Sequence, residues 1–231
     1  MKNIDNIVFI VQARLNSERV PGKMLRPFAD KNLFGIVLDK LLSSNVIPSE
    51  NIRASVYEEE LFAEANLIRN IRTFERSKES ANNDNDLKKI YEWHDKLPYE
   101  YVIIISGCSP LLKVETIDKF VTEFITQKEE NLFAVVKKKQ YYWNKEGALI
   151  TPWPEGQTIM NTKAVEPTYE AGHVLYASRM DLIGHNKFMG NFEEEGGIKL
   201  FEINELEAFD IDYQWQFDAA EHLYEKGFYN S

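Results

Sequence analysis

The sequence predicts an α/β sandwich built on a mostly parallel sheet. Strand-like and helix-like segments alternate along the chain in the order β-α-β-α-β-α-β, which is the pattern of crossover units. The first strand-like segment, residues 7–11, is a continuous apolar run with β-branched residues, as a buried parallel strand requires. The 231 residues, 44% hydrophobic and 28% charged, have the composition of an ordinary globular protein, and a chain of this length is read as one domain, residues 1–231.

The elements follow in order. Residues 7–11, Ile-Val-Phe-Ile-Val, form the first strand, and Leu33, Phe34, Val37, Leu38, Leu41 and Leu42 recur at helical spacing. "IRASVY", 52–57, is a second strand, and Leu61, Ala65 and Ile68 mark a second helix. "DNDLKKIYEWHDK", 84–96, reads as a helix capped by Asp84 with Leu87, Ile90 and Tyr91 on one face. "YVIIIS", 101–106, is the strongest strand signal, and an amphipathic helix through Ile117, Phe120, Val121, Phe124 and Ile125 follows it. "LFAVV", 132–136, "HVLYAS", 173–178, "KLFEI", 199–203, and "AFDID", 208–212, are further strands, and a closing helix runs from Tyr213 to Gly227. Residues 137–167 break the rhythm with the run Lys137-Lys138-Lys139, four aromatic residues and three prolines. A connection that long has a function, and an antiparallel excursion serving as a dimer arm is expected there.

Composition excludes several classes. One cysteine, Cys108, precludes an internal disulfide. The N-terminal apolar run is soon broken by Gln12 and Arg14, so neither a membrane span nor a signal peptide is expected, and a cytoplasmic location is. A formal net charge of -10 argues against nucleic-acid binding. The four histidines and Cys108 have no zinc spacing. Lys137–Lys139 and "NFEEEGG", 191–197, read as solvated surface.

Three stretches carry chemistry. "VQARLNSERVPGKML", 11–25, concentrates Arg14, Arg19 and Lys23 around Ser17, Pro21 and Gly22 just after the first strand. It lacks the dinucleotide-binding glycine pattern and the full phosphate-loop pattern. It either wraps phosphates with backbone N–H groups and cations or is a solvated loop with incidental charges. "ISGCSPLL", 105–112, follows the central strand, where α/β sheets bind ligands, or is an ordinary turn; Cys108 reads as packing there. In "FDIDYQWQFD", 209–218, Asp210 and Asp212 point to one side of an extended segment. They form either a Mg²⁺ site or a pair of helix-capping carboxylates.

Together these stretches resemble the acylneuraminate cytidylyltransferase family, the CMP-sugar synthetases. The opening stretch is similar to that family's signature, "SGCSPLL" to its turn after the central strand, and "FDIDYQWQFDAAE" to its closing D-I-D segment. The resemblance implies a Rossmann-like nucleotidyltransferase sandwich with a small antiparallel arm, here 137–167, through which a homodimer forms. It implies transfer of CMP from CTP to an acidic sugar or similar anionic surface-polysaccharide precursor, with release of pyrophosphate and with Mg²⁺ as cofactor.

Carried over, Arg14, Lys23, Asp210 and Asp212 are the catalytic set, and the two aspartates hold the metal. Ala13, Arg14, Asn16, Ser17, Lys23, Arg76 and Ser106 bind nucleotide. Ser106, Ser109 and Tyr176 face the acceptor. Ser106 stands where the family has Gln, Cys108 stands where a related branch has Asp, and "EAGHVLYASR", 170–179, lacks the usual Asn-Gly. Acceptor handling is therefore expected to differ. The alternatives are the same chemistry on a phosphonate or polyol phosphate, a catalytically inactive nucleotide-binding relative, and a glycosyltransferase using an acidic metal motif.

Overall fold

A computed structural model describes residues 1–67, 71–83, 85–188 and 190–230. In chain order the elements are β1 (Ile7–Gln12), β2 (Pro27–Phe28), β3 (Lys31–Asn32), α1 (Leu33–Leu42), β4 (Ile52–Val56), α2 (Glu59–Leu67), β5 (Arg72–Glu75), α3 (Lys78–Ala81), α4 (Leu87–Ile90), β6 (Tyr101–Ile105), α5 (Val114–Thr126), β7 (Leu132–Lys138), β8 (Thr168–Arg179), α6 (Asp181–Gly184), β9 (Leu200–Ile203) and α7 (Gln214–Glu225). Seven strands form one sheet in the order β5-β4-β1-β6-β8-β7-β9, and β2 and β3 form a separate antiparallel ribbon. All neighbours in the large sheet are parallel except β8, which runs against β6 and β7. The mostly parallel α/β sandwich predicted from the sequence is what the chain forms.

The period of the strand divides the core in two. Ile7, Phe9 and Val11 of β1 pack with Phe34 and Leu38 of α1, Phe120 and Phe124 of α5 and Phe217 of α7. Val8 and Ile10 face the other way, with Val102, Ile104, Trp93 and Ile183. Successive residues of a strand alternate in direction, so a strand apolar at every position needs a layer on each face. Asn32 starts α1 by accepting a hydrogen bond from the Gly35 N–H at 2.7 Å, a capping arrangement.

Three expectations change. The helix over 84–96 shrinks to the single turn α4, capped by Asp86, which accepts from the Lys88 N–H at 3.1 Å; Asp84 lies outside the described residues. Tyr91 leaves helical geometry (φ -110°, ψ 46°), and the unwound chain buries Trp93 completely, with its Nε1–H donating to Gln12 Oε1 at 3.0 Å. Burial of one large indole outweighs a marginal helix. Residues 208–212 form no strand: the Ile211 N–H donates to the Cys108 carbonyl at 3.0 Å, so this backbone pairs with a turn and not with the sheet. Finally, β5, β2 and β3 carried no readable signal, since "RTFE" is polar and lies at the sheet edge. Ile68, expected in the second helix, lies outside the described residues.

The segment after β7 leaves the sheet as an antiparallel excursion and returns as β8. It carries one isolated bridge, Trp143 to Leu149, and buries Tyr141, Thr151 and Val165. Tyr142, Trp143, Ile150, Trp153, Ile159 and Met160 stay exposed on it.

Candidate active site

The parallel strands β1 and β6 end side by side, and the chain segments that follow them converge with residues 209–212. Lys23 Nζ donates to the Ile211 carbonyl, the Ile211 N–H donates to the Cys108 carbonyl, and Arg19 Nη2 meets Asp212 Oδ1 at 2.6 Å. These contacts join the opening loop, the turn after β6 and the acidic segment around a cleft of about 890 Å³. A smaller lobe of about 310 Å³ adjoins it and shares Gln12, Ala13, Arg14, Ser106, Cys108, His173 and Tyr176 with it.

The opening loop is shaped by its own backbone. Gly22 sits at φ +67°, a conformation only glycine adopts at no steric cost. Its N–H donates to the Leu15 carbonyl at 3.2 Å, while its carbonyl accepts from Leu25 and Arg26 at 3.0 Å each. Ser17 Oγ accepts from the Val20 N–H at 3.4 Å. Glu58, just beyond β4, accepts from the Leu15 N–H at 2.9 Å and anchors the loop from the sheet side. Asn16 and Asn82 join across the rim at 2.5 Å, and Arg14 Nη1 donates to the Ala81 carbonyl at 3.4 Å.

The acidic segment is equally fixed. Gln216, in the first turn of α7, accepts from the N–H groups of Asp212 and Tyr213 at 2.7 Å each. Ile211 is fully buried, so Asp210 and Asp212 on either side of it both reach the cleft. Burial raises the Asp210 carboxyl above its ordinary range; Lys23 opposes that and Asp212 adds to it. A partly desolvated carboxylate beside a second one is a donor set suited to a hard divalent cation. Among the described residues no group of three His, Cys, Asp or Glu side chains is placed to hold a metal. An ion held here by two carboxylates would take its other ligands from water and phosphate oxygens, as Mg²⁺ commonly does.

The cleft brings together Ala13, Arg14, Asn16, Ser17, Lys23, Ser106, Tyr176, Asp210 and Asp212, all singled out from the sequence. Arg76 lines the smaller lobe, but its donors are engaged by the protein: Nε by Ser80 Oγ at 3.1 Å, Nη2 by the Ser80 carbonyl at 2.7 Å and Nη1 by the Ala13 carbonyl at 3.5 Å. Burial, with Arg14 nearby, lowers its guanidinium to about 10. It braces the wall and adds positive potential. Ser109 is buried behind the turn and lines neither lobe. Burial raises the Cys108 thiol, with Lys23 opposing, which favours its protonated form.

Three contributors had no signal in the sequence, and Arg19 stood out there only as one cation of the opening loop. Glu58 and Gln216 act through backbone contacts that only the fold reveals. His173 lines both lobes with the left-handed φ of 54°, a conformation that costs a residue with a Cβ about 1–3 kcal/mol.

A basic loop after the first strand, facing paired carboxylates across a cleft at the carboxyl ends of a parallel sheet, defines a nucleotidyltransferase-type α/β protein. The sequence model of the family described as "Cytidylyltransferase" matches residues 8–231, and the chain belongs to that family. The spore coat polysaccharide biosynthesis protein SpsF of Bacillus subtilis (strain 168) is 26% identical over 129 residues, 54% of this chain and 52% of that protein; the aligned part is about half the length of that relative. Among solved structures, CMP:2-keto-3-deoxy-manno-octonic acid synthetase complexed with CTP is similar at a TM-score of 0.69 and 12% identity, covering 96% of this chain and 99% of that one. A 4-diphosphocytidyl-2C-methyl-D-erythritol synthase from Anaerococcus prevotii reaches 0.66 at 14% identity, covering 96% and 98%. A cytidylyltransferase from Leptospira borgpetersenii reaches 0.61 at 17% identity, covering 96% and 87%. At these identities the structures speak for the fold.

Proposed function

We propose that the chain transfers CMP from CTP to an anionic sugar or a similar surface-polysaccharide precursor and releases pyrophosphate. The observation that carries this reading is the joining of the basic loop, the turn after β6 and the Asp210–Asp212 segment around one cleft. Arg14, Arg19 and Lys23 face the triphosphate, with Ala13, Asn16, Ser17 and Ser106 shaping the nucleotide's seat. Asp210 and Asp212 would hold Mg²⁺, which would neutralise phosphate charge and act as a Lewis acid. The acceptor oxygen attacks the α-phosphorus in line with the departing pyrophosphate. The chain contributes orientation and fixed positive charge, which strengthen as charge develops on the leaving group.

The smaller lobe suits the acceptor. Arg76 lies on its wall and gives it positive potential, and Tyr91, Ile90 and Ile104 give it an apolar side. Tyr176 and Ser106 lie at the boundary of the two lobes. A single domain of residues 1–231 acting in the cytoplasm, without nucleic acid, suits the acidic charge and a nucleotide substrate. Among the described residues no helix is long and apolar enough to cross a membrane. The exposed aromatic and aliphatic side chains of the excursion after β7 support a homodimer through that arm, since apolar clusters of this kind mark contact surfaces.

The test is pyrophosphate release from CTP and Mg²⁺ with a panel of acceptors: 2-keto-3-deoxy-manno-octonic acid, N-acetylneuraminic acid, 2-C-methyl-D-erythritol 4-phosphate, glycerol 3-phosphate and a phosphonate. Release with an acidic sugar is expected. Release only with the polyol phosphates or the phosphonate moves the acceptor class, and release with none refutes transfer.

A further inference from the structure

We propose that His173 is a catalytic residue of the transfer, accepting the proton of the attacking acceptor hydroxyl. The inference rests on the cytidylyltransferase reading and adds the base that reading lacks.

The local backbone places this side chain deliberately. On β7 the ladder steps two residues, from Phe133 to Val135, while its partners on β8 step five, from Tyr176 to Ala171. The surplus residues form a bulge, a device that re-aims a side chain next to a site. Gly172 enters the bulge against the neighbouring strand: a Cβ there would stand 2.9 Å from the Ala134 carbonyl oxygen. Val174 and Leu175 are already back in register, with the Val174 carbonyl accepting from the Ser106 N–H at 2.9 Å and Leu175 paired with Ile105. His173 is left between them in the left-handed conformation, at φ 54°, which glycine would occupy without strain. A strained residue at a site is a pointer to function.

The imidazole stands where the two lobes of the cleft meet, between the expected seats of the α-phosphorus and the acceptor. Its Nδ1 lies 3.2 Å from the Tyr176 hydroxyl, and Nε2 makes no hydrogen bond among the described residues. Burial raises the Tyr176 phenol well above its ordinary value, so this partner stays neutral. With Nδ1–H donating to Tyr176 Oη, Nε2 presents a lone pair. A third group that orients the base is the arrangement general-base catalysis needs.

The step balances. The acceptor O–H gives its proton to Nε2 as the oxygen bonds to the α-phosphorus. The bond from that phosphorus to the bridging oxygen breaks, and pyrophosphate leaves with the electron pair.

The test uses His173→Gly and His173→Asn, two residues that tolerate the left-handed backbone. Both are expected to fold with unfolding midpoints at or above that of the wild type and to keep the stabilisation by CTP. Turnover with the best acceptor of the panel should fall about 10²–10⁴-fold in kcat, with little change in the KM for CTP. Added imidazole should restore part of it in His173→Gly, an effect a merely structural role would not give. Wild-type turnover in the variants, or a loss that imidazole leaves unchanged, overturns the assignment. Absence of turnover by the wild type with every acceptor overturns the transfer reading and this step with it, and is distinguished by occurring without any substitution.

Discussion

Lys40 offers a stringent test of how the turn after β6 is held. It lies in α1, is 9% exposed, and donates from Nζ to the Leu112 carbonyl at 2.6 Å and to the Pro110 carbonyl. Burial pulls its ammonium down from 10.5 to about 7, with Glu207 opposing. The unfolded chain therefore binds more protons than the folded chain between about pH 7 and 10.5, so stability rises with pH across that window. The penalty is fully present below the folded value and is relieved as pH climbs towards the unfolded one. The limiting slope is about 1.4 kcal/mol per pH unit for one group. Because Lys40 is half-titrated near pH 7, it contributes a gain of about 2 kcal/mol between roughly pH 7 and pH 9. Chemical denaturation of the wild type and Lys40→Met at both values reads this directly. The wild type should gain about 2 kcal/mol more than the variant over the interval. Parallel changes in the two proteins would refute a buried, titrating Lys40.

Two further predictions follow from the geometry. Asp212→Asn should remove turnover while leaving the fold and an unfolding midpoint within a few degrees of the wild type, because the ion pair with Arg19 is solvent-exposed; pyrophosphate release and a thermal melt check both halves. Gly172→Ala should destabilise by about 1–3 kcal/mol, because the new methyl meets the Ala134 backbone at 2.9 Å and backbone cannot step aside; a urea titration measures it.

Legibility in the sequence followed the physics of each element. β1 and β6 were readable because burial on both faces demands unbroken apolar runs. The edge strand β5 was not, because "RTFE" satisfies only one neighbour and faces solvent. The helix over 84–96 failed because periodicity cannot weigh the burial of Trp93 against helical hydrogen bonds. The site was legible where charge has no other reason to cluster, at Arg14, Lys23, Asp210 and Asp212. It was not legible where a residue acts through backbone geometry: Glu58 and Gln216 hold loops by accepting from N–H groups, and His173 depends on a bulge that no local pattern announces. Ser109 shows the converse, a motif position that the fold turns inward, away from the cleft.

The central claim is that the cleft between the opening loop and the acidic segment binds CTP with a divalent metal. The most direct measurement is the shift of the unfolding midpoint with CTP, UTP, ATP and GTP, each with and without Mg²⁺. A ligand that binds only the folded chain raises the midpoint by mass action, about 2.7 kcal/mol of stabilisation at a hundredfold excess over Kd. A rise selective for CTP and enlarged by Mg²⁺ is expected. A rise with another nucleotide in its place, or no rise with any, would contradict it.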